Sequence, residues 1–188
     1  KSIIFPLKRY QVQKVYRGEA AKMNNGRFRE FYQSDIDVVG RGKVSFSYDS
    51  EFPAIIYLIF KQVLGINNFK MRINNRKLLE GIFMEYGLNK TEMIKKAVKI
   101  IDNMEKVSEK ETSQKLQEIG ITNDNASKIL SLFRLLQQSD PEIAINSLLE
   151  IPFQNSMINQ GIAELKEVFD GIIANGVPKT HFVLDPSI

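Results

Sequence analysis

The sequence contains no cysteine and no tryptophan, and its only histidine is His181. Without cysteine there are no disulfides and no thiolate metal sites, and one histidine cannot build a histidine-rich metal site. We expect His181 to be an ordinary strand residue. No apolar run approaches the roughly 20 residues of a membrane span, since the stretch Phe52–Gly65 is short and contains Lys61. No secretory leader is recognisable, and we expect a cytoplasmic protein without a membrane partner.

Positive charge is concentrated near the start of the chain. The 188 residues are 43% hydrophobic and 26% charged, which is typical of a folded soluble protein. The net charge is +4, yet residues 1–43 alone carry ten Lys/Arg and four Asp/Glu. This excess indicates either a site for an anionic ligand or a solvated basic surface.

The first part of the chain has a mixed pattern of strands and helices. Gln11–Gly18 and Arg27–Val39 predict two strands of an antiparallel hairpin, joined by a loop that contains Asn24–Gly26. A helix is predicted to follow, capped by Asp49 or Ser50, with Pro53 in its first turn, and to run to about residue 64. Residues 69–74 alternate as a further half-buried strand, and a second helix ends near residue 87.

From Leu88 the sequence predicts one helix after another. Ser108–Glu111 is a capping box, Thr122 or Asn123 opens the next helix, and Pro141 stands in the first turn of a short one. The last helix ends at Gly176, and a strand follows. We predict part of a core domain at 1–87, an all-helical module at 88–175, and a strand at 176–188 that returns to the core.

The second hairpin strand shows two different faces, because side chains alternate along a strand. One face carries cationic, aromatic, amide and carboxylate groups, which suit a nucleotide and a polar partner. The other face is expected to pack mostly against a core. A plain polar sheet surface with internal salt bridges remains the alternative. The first face comprises Arg27, Arg29, Phe31, Gln33, Asp35, Asp37 and Val39, and the second Phe28, Glu30, Tyr32, Ser34, Ile36 and Val38.

These residues carry a resemblance to a known family. The run GRFREFYQS (Gly26–Ser34), preceded by YRGE (Tyr16–Glu19), resembles motif 2 of class II aminoacyl-tRNA synthetases in the form found in histidyl-tRNA synthetases. MRINNRKLLEGIF (Met71–Phe83) is similar to the strand and helix after motif 2. The helical module resembles the insertion domain of that family more weakly. FVLDPSI (Phe182–Ile188) resembles the segment before the histidine-recognition motif.

The resemblance implies four contacts to ATP. Arg17 would bridge the α-phosphate of ATP and the substrate carboxylate, and would be the catalytic residue. Glu19 would contact the adenine amino group, Arg27 would reach the terminal phosphates, and Phe31 would stack on adenine. Mg²⁺ would accompany ATP, although its ligands are not identifiable, and no tightly bound cofactor is implied.

It also implies a binding site for the amino acid. Arg17 and Gln33 would hold L-histidine, and Asp37 would bind its ammonium group. Asp37 stands where many bacterial members have Glu, so its reach differs slightly. Arg29 lies on the same face without an assigned role.

The implied fold is α+β: part of the class II antiparallel sheet with flanking helices, plus a helical insertion. The implied reaction joins histidine to ATP and passes the histidyl group to the 3′ end of tRNA(His), and a homodimer is expected. Motif 1, the histidine-recognition motif and motif 3 are missing, so we interpret the chain as an excerpt that is inactive alone. Two alternatives are non-catalytic: a regulatory subunit of ATP phosphoribosyltransferase, or a tRNA-sensing domain of a stress kinase.

Overall fold

The computed structural model describes residues 3–18 and 28–188. Its backbone divides into two compact units, residues 1–48 and 49–188. Within the described ranges, no helix is long and apolar enough to cross a membrane. Helices and strands occur together, and the predicted α+β class is confirmed.

The first unit is built on an antiparallel hairpin. Strand β1 covers Leu7–Tyr16 and strand β2 covers Glu30–Val39. Leu7 is paired with Val39 and Tyr16 with Glu30. The pairing shifts both predicted boundaries, because β1 begins four residues before Gln11 and β2 begins after Arg27. A strand extends as far as its partner offers backbone groups, and a single sequence does not contain that information.

The even-numbered face of the hairpin does not pack as predicted. Tyr32 is 71% exposed, and Tyr10 on the neighbouring strand is 81% exposed, whereas Ile36 and Val38 are half-buried. The physical reason is that a two-stranded ribbon has no second layer of its own with which to cover a face. The expectation of a mostly buried even face is therefore wrong for these tyrosines.

Helix α1 covers Ser47–Leu58 and continues as a π-helix over Ile59–Val63. It begins two residues before the predicted cap, so Pro53 lies in the helix interior rather than in the first turn. Gly65 adopts a positive φ of 66° just beyond the π-helix, next to the predicted helix end at about residue 64.

The second unit also contains two short parallel strands. Strand β3, Met71–Ile73, pairs with β4, Phe182–Leu184. Both are shorter than the sequence predicts. A parallel pair requires a long crossover connection, and here the intervening helices provide it. His181 lies next to β4, and its Nδ1 is 3.2 Å from the carbonyl oxygen of Phe69.

Six α-helices lie between the two strands, and two of them begin at the predicted caps Ser108 and Thr122. The Ser108 and Thr122 hydroxyls accept hydrogen bonds from the backbone N–H groups of Glu111 and Asn125, at 3.2 and 3.3 Å. The bounds are α2 Arg76–Glu85, α3 Thr91–Ile101, α4 Glu109–Glu118, α5 Asn123–Leu136, α6 Pro141–Glu150 and α7 Ser156–Ala174.

A buried cluster runs through this second unit, from Ala54 in α1 to Leu184 in β4. Helices α2 and α7 approach closely because glycines occupy the contact. A Cβ built on Gly161 would lie 2.5 Å from the backbone nitrogen of Leu78, and one on Gly81 would lie 2.7 Å from Cγ1 of Ile158. The helical module thus shares its core with α2, and the domain boundaries at 87/88 and 175/176 stay predictions.

A polar network links β3 and β4 to the helices. Asp185 is buried, and its Oδ1 accepts from Nε2 of Gln137 at 3.0 Å and from the Ser187 backbone at 2.9 Å. Its Oδ2 accepts from Nε of Arg72 at 2.5 Å, and Arg72 also reaches Oε1 of Glu105 at 2.5 Å. Burial alone would raise the pKa of Asp185, but these hydrogen bonds outweigh it and lower the pKa.

Asp185→Asn should lower the free energy of unfolding at pH 7 by roughly 2 kcal/mol, because Arg72 loses a charge partner beside buried polar groups. A carboxyl whose pKa is lowered by folding stabilises the protein above its unfolded pKa of about 3.9. That contribution disappears as the pH falls through the folded pKa. Urea unfolding of both proteins should therefore show a large difference at pH 7 and a smaller one near pH 2.5.

Asp170→Asn is the matched control, since Asp170 pairs with Lys166 on an exposed helix face. It should change stability by less than about 0.5 kcal/mol. An Asp185→Asn difference that is equally large at both pH values would contradict an electrostatic role.

Candidate functional site

The strand register determines which side chains share a face. Directly paired residues of an antiparallel ladder point to the same side. Odd-numbered residues of β1 therefore join odd-numbered residues of β2, and we call the combined surface the odd face. Its polar pairs are Arg9 with Asp37, Gln11 with Asp35, and Gln13 with Gln33. At the end of the ladder next to the segment that connects the two strands, the Arg17 backbone N–H donates to the Arg29 carbonyl at 2.9 Å.

Arg17 contacts two of the other predicted site residues. Its Nη2 donates to Oε1 of Gln33 at 3.3 Å, and its Cζ lies 5.1 Å from the centroid of the Phe31 ring. The guanidinium thus lies between an amide and an aromatic ring, with a cation–π contact to the ring. We call these three residues the Arg17 cluster. Arg17 is exposed, while Phe31 and Gln33 are half-buried.

A second group of side chains lies further along the same face. Arg9 forms an ion pair with Asp37, and its Nη1 donates to Oε1 of Gln11 at 3.0 Å. Nε2 of Gln13 donates to the same oxygen at 3.3 Å. We call Arg9, Gln11, Gln13 and Asp37 the Arg9 cluster.

The alternation predicted from the sequence is confirmed where the structure describes it. Arg17, Phe31, Gln33 and Asp37 share the odd face. Glu19 and Arg27 lie outside the described residues. The ligand roles of all six residues remain predictions.

Three polar residues of β1 were missed. Arg9, Gln11 and Gln13 form the first strand's half of the odd face, and none was singled out from the sequence. A signal was present, because residues 9, 11 and 13 are polar at the strand period, on the same side as Arg17. Gln11 and Gln13 lie within the predicted strand, whereas Arg9 joins the face only because the strand begins at Leu7.

The odd face combines groups that recognise different parts of a charged, planar ligand. Arginine donates in a fork that matches phosphate or carboxylate. The Phe31 ring offers an aromatic surface, and carboxylates such as Asp37 attract cationic groups. Among the described residues, no three His, Cys, Asp or Glu side chains cluster as metal ligands. The surface therefore suits an anion with a ring and a nearby ammonium.

The opposite face of the hairpin has a different chemistry. It carries the exposed rings of Tyr10 and Tyr32, and one ion pair between Lys14 and Glu30 at 2.5 Å. No arginine of β1 or β2 belongs to it. This face provides an internal control for experiments on the odd face.

The chain is similar in sequence to histidine–tRNA ligases, although no model of a protein family matches it. The histidine–tRNA ligase of Nostoc sp. PCC 7120 is 40% identical over 187 residues, in an alignment that covers 99% of this chain. The chain spans 40% of that relative's length. The resemblance inferred from the sequence is therefore confirmed.

Solved structures show the same fold. The crystal structure of the Nostoc sp. PCC 7120 histidyl-tRNA synthetase superposes with a TM-score of 0.86 and 36% identity, covering 99% of this chain and 41% of the other. A Bacillus halodurans structure described as an ATP phosphoribosyltransferase regulatory subunit/histidyl-tRNA synthetase gives a TM-score of 0.77 at 17% identity. It covers 98% of this chain and 44% of the other, and supports the fold alone.

Proposed function

We propose that this chain is the part of a histidyl-tRNA synthetase that binds ATP and histidine. The observation that carries the proposal is the Arg17 cluster, in which an exposed guanidinium lies between Gln33 and the Phe31 ring. The similarity to histidine–tRNA ligases supports it. Because the chain spans only 40% of such a relative, the reaction is assigned to the complete enzyme.

The reaction has two steps. The carboxylate of histidine attacks the α-phosphorus of ATP, which gives histidyl-adenylate and releases pyrophosphate. The 3′-terminal adenosine of tRNA(His) then attacks the activated carbonyl and releases AMP. The protein accelerates the first step by holding two anions together and by stabilising the charge that develops between them.

Arg17 is well placed for this work. Its fork can bind the α-phosphate and the histidine carboxylate together, which brings the reacting atoms into contact. Gln33 already contacts Arg17 and would hold the amino acid beside it. Asp37, further along the odd face, would take the ammonium group of histidine.

The rest of ATP would extend from the same place. Phe31 would stack on adenine, Glu19 would accept from the adenine amino group, and Arg27 would bind the terminal phosphates. In the structure the Arg17 guanidinium lies over the Phe31 ring. A purine that stacks on the same face of this ring would displace the guanidinium toward the phosphates. Mg²⁺ would arrive with ATP and neutralise phosphate charge.

A regulatory, non-catalytic role is the alternative. The Bacillus halodurans match aligns with 98% of this chain, so the helical region does not separate the two readings. The residues that we propose to bind ATP favour the enzyme, because a regulatory protein has no need of Arg17 or Phe31 in this arrangement. No observation favours the alternative over the enzyme.

Pyrophosphate exchange tests the proposal. The complete protein, supplied with Mg·ATP and one amino acid at a time, should exchange labelled pyrophosphate into ATP only with L-histidine. Exchange with another amino acid would reassign the substrate. No exchange with any of them, in a folded protein that binds ATP, would favour the regulatory role.

We also propose tRNA(His) and a second copy of the enzyme as partners of the complete protein. The helical region offers a candidate surface for RNA, because seven lysines lie between residues 90 and 115. Three of them, Lys95, Lys96 and Lys99, are exposed on α3. The seven lysines are Lys90, Lys95, Lys96, Lys99, Lys106, Lys110 and Lys115.

Replacing Lys95, Lys96 and Lys99 with Gln should weaken tRNA binding about tenfold at low salt and reduce its dependence on salt concentration, because phosphate contacts release counterions. Pyrophosphate exchange should stay unchanged. Point changes are preferable to deletion of residues 88–175, which would uncover the buried face of α2. Filter binding across a salt series measures both quantities.

The control replaces Lys128 and Lys166 with Gln, since each is paired with an aspartate on its own helix. That variant should bind tRNA like the wild type. Equal losses in both variants would indicate a general charge effect, and no loss in either would show that the α3 lysines are a solvated face.

A further inference from the structure

The carboxylate proposed to take the substrate ammonium already has a cationic neighbour. Arg9 and Asp37 are direct partners in the strand register and form an ion pair. The pair is half-exposed, with 46% of the Arg9 side chain and 38% of the Asp37 side chain accessible. An exposed pair of this kind contributes little to stability, so its position on the odd face points to recognition.

The two oxygens of Asp37 are in different surroundings. Oδ2 is out of contact with solvent, accepts no hydrogen bond from the described residues, and lies against Nη2 of Arg9 in the ion pair. The ion pair therefore involves Oδ2, and Oδ1 is the oxygen that we expect to face a ligand.

Arg9 itself is fixed at two points. Nη2 faces Asp37, and Nη1 donates to Oε1 of Gln11 at 3.0 Å. Gln11 is in turn held by Nε2 of Gln13 at 3.3 Å. A planar guanidinium that is bound at both ends of its fork has a defined orientation.

We propose that Arg9 is a positioning residue for substrate recognition: it pins Oδ2 of Asp37 so that Oδ1 is directed at the ammonium group of the amino acid. This inference rests on the proposed function. Arg9 touches neither the amino acid nor ATP, and acts through Asp37. It also reduces the net negative charge at Asp37, so the site favours a zwitterion that brings its own carboxylate to Arg17 over a simple cation.

The test is pyrophosphate exchange by the complete enzyme with Arg9→Met. The KM for histidine should rise about tenfold, the loss that follows removal of an outer partner of a ligating group. The kcat and the KM for ATP should stay near wild type. Arg9→Lys keeps the charge and loses the fork, so its KM for histidine should lie between those of wild type and Arg9→Met. If Arg9→Met does not fold, Arg9→Gln gives the same comparison.

Two inhibitors separate positioning from a general disturbance. Histidinol keeps the ammonium and lacks the carboxylate, so its inhibition constant should rise by the same factor as the KM for histidine. Imidazolepropionate lacks the ammonium and should inhibit wild type and Arg9→Met equally. The matched control is Lys14→Met, which breaks a pair of similar exposure on the opposite face and should change neither constant.

An unchanged KM for histidine in Arg9→Met would overturn this inference and leave the proposed function intact. A lower KM would overturn it as well, because Arg9 would then compete with the ammonium. A wild-type enzyme without histidine-dependent exchange would overturn both together.

Discussion

Arg17→Lys should slow histidine-dependent pyrophosphate exchange by the complete enzyme by at least about a hundredfold, the loss typical of removing a group that stabilises transition-state charge. Lysine keeps the positive charge but presents it as a point, without a planar fork. It cannot bind an α-phosphate and a carboxylate together and also contact Gln33 and the Phe31 ring. The fall should appear mainly in kcat, since both anions are bound most tightly as they react.

Folding should be unaffected, because Arg17 is exposed and its contacts are to side chains at the surface of the hairpin. Thermal unfolding of the two proteins checks this point. Arg41→Lys is the control, since it makes the same chemical change at an exposed arginine beyond β2. It should exchange pyrophosphate like the wild type. A rate for Arg17→Lys within threefold of wild type would remove Arg17 from the mechanism.

Gly161→Ala should lower the free energy of unfolding by about 3 kcal/mol, the upper part of the range for overpacking a core. An alanine in place of glycine inside a helix normally stabilises the helix by about 1 kcal/mol. A loss of stability in Gly161→Ala would therefore itself indicate a steric clash. Here the new methyl group would meet the backbone nitrogen of Leu78 at 2.5 Å and its Cα at 2.8 Å. Backbone atoms cannot rotate away, so α2 and α7 must move apart and expose buried side chains.

Urea unfolding of the chain measures the effect. Glu167→Ala is the control on the same helix, because Glu167 is exposed. It should change stability by less than about 0.5 kcal/mol. A Gly161→Ala protein as stable as the wild type would show that the two helices do not pack through this glycine.

Local chemistry made much of the fold predictable. The caps at Ser108 and Thr122 place helix starts because a side-chain oxygen there satisfies a free backbone N–H. The alternation of β2 predicts its two faces, and the register agrees. The π-helix Ile59–Val63 could not be predicted, because no local signal for it stands in the sequence.

Features that depend on two distant segments could not be predicted either. The ion pair of Arg9 with Asp37 requires the register of the hairpin, and the contacts of Asp185 with Arg72 require the parallel pairing of β3 and β4. Sequence patterns report burial along one element and not which element lies opposite. The roles of Arg17, Phe31, Gln33 and Asp37 came from a family resemblance and remain predictions.

The most direct test of the account is a crystal structure of the complete enzyme with a non-hydrolysable histidyl-adenylate analogue. We expect the analogue to lie on the odd face, with its phosphate-like group on Arg17, its purine against Phe31, and its ammonium on Oδ1 of Asp37. An analogue bound on the face that carries Tyr10 and Tyr32, or away from the hairpin altogether, would contradict it.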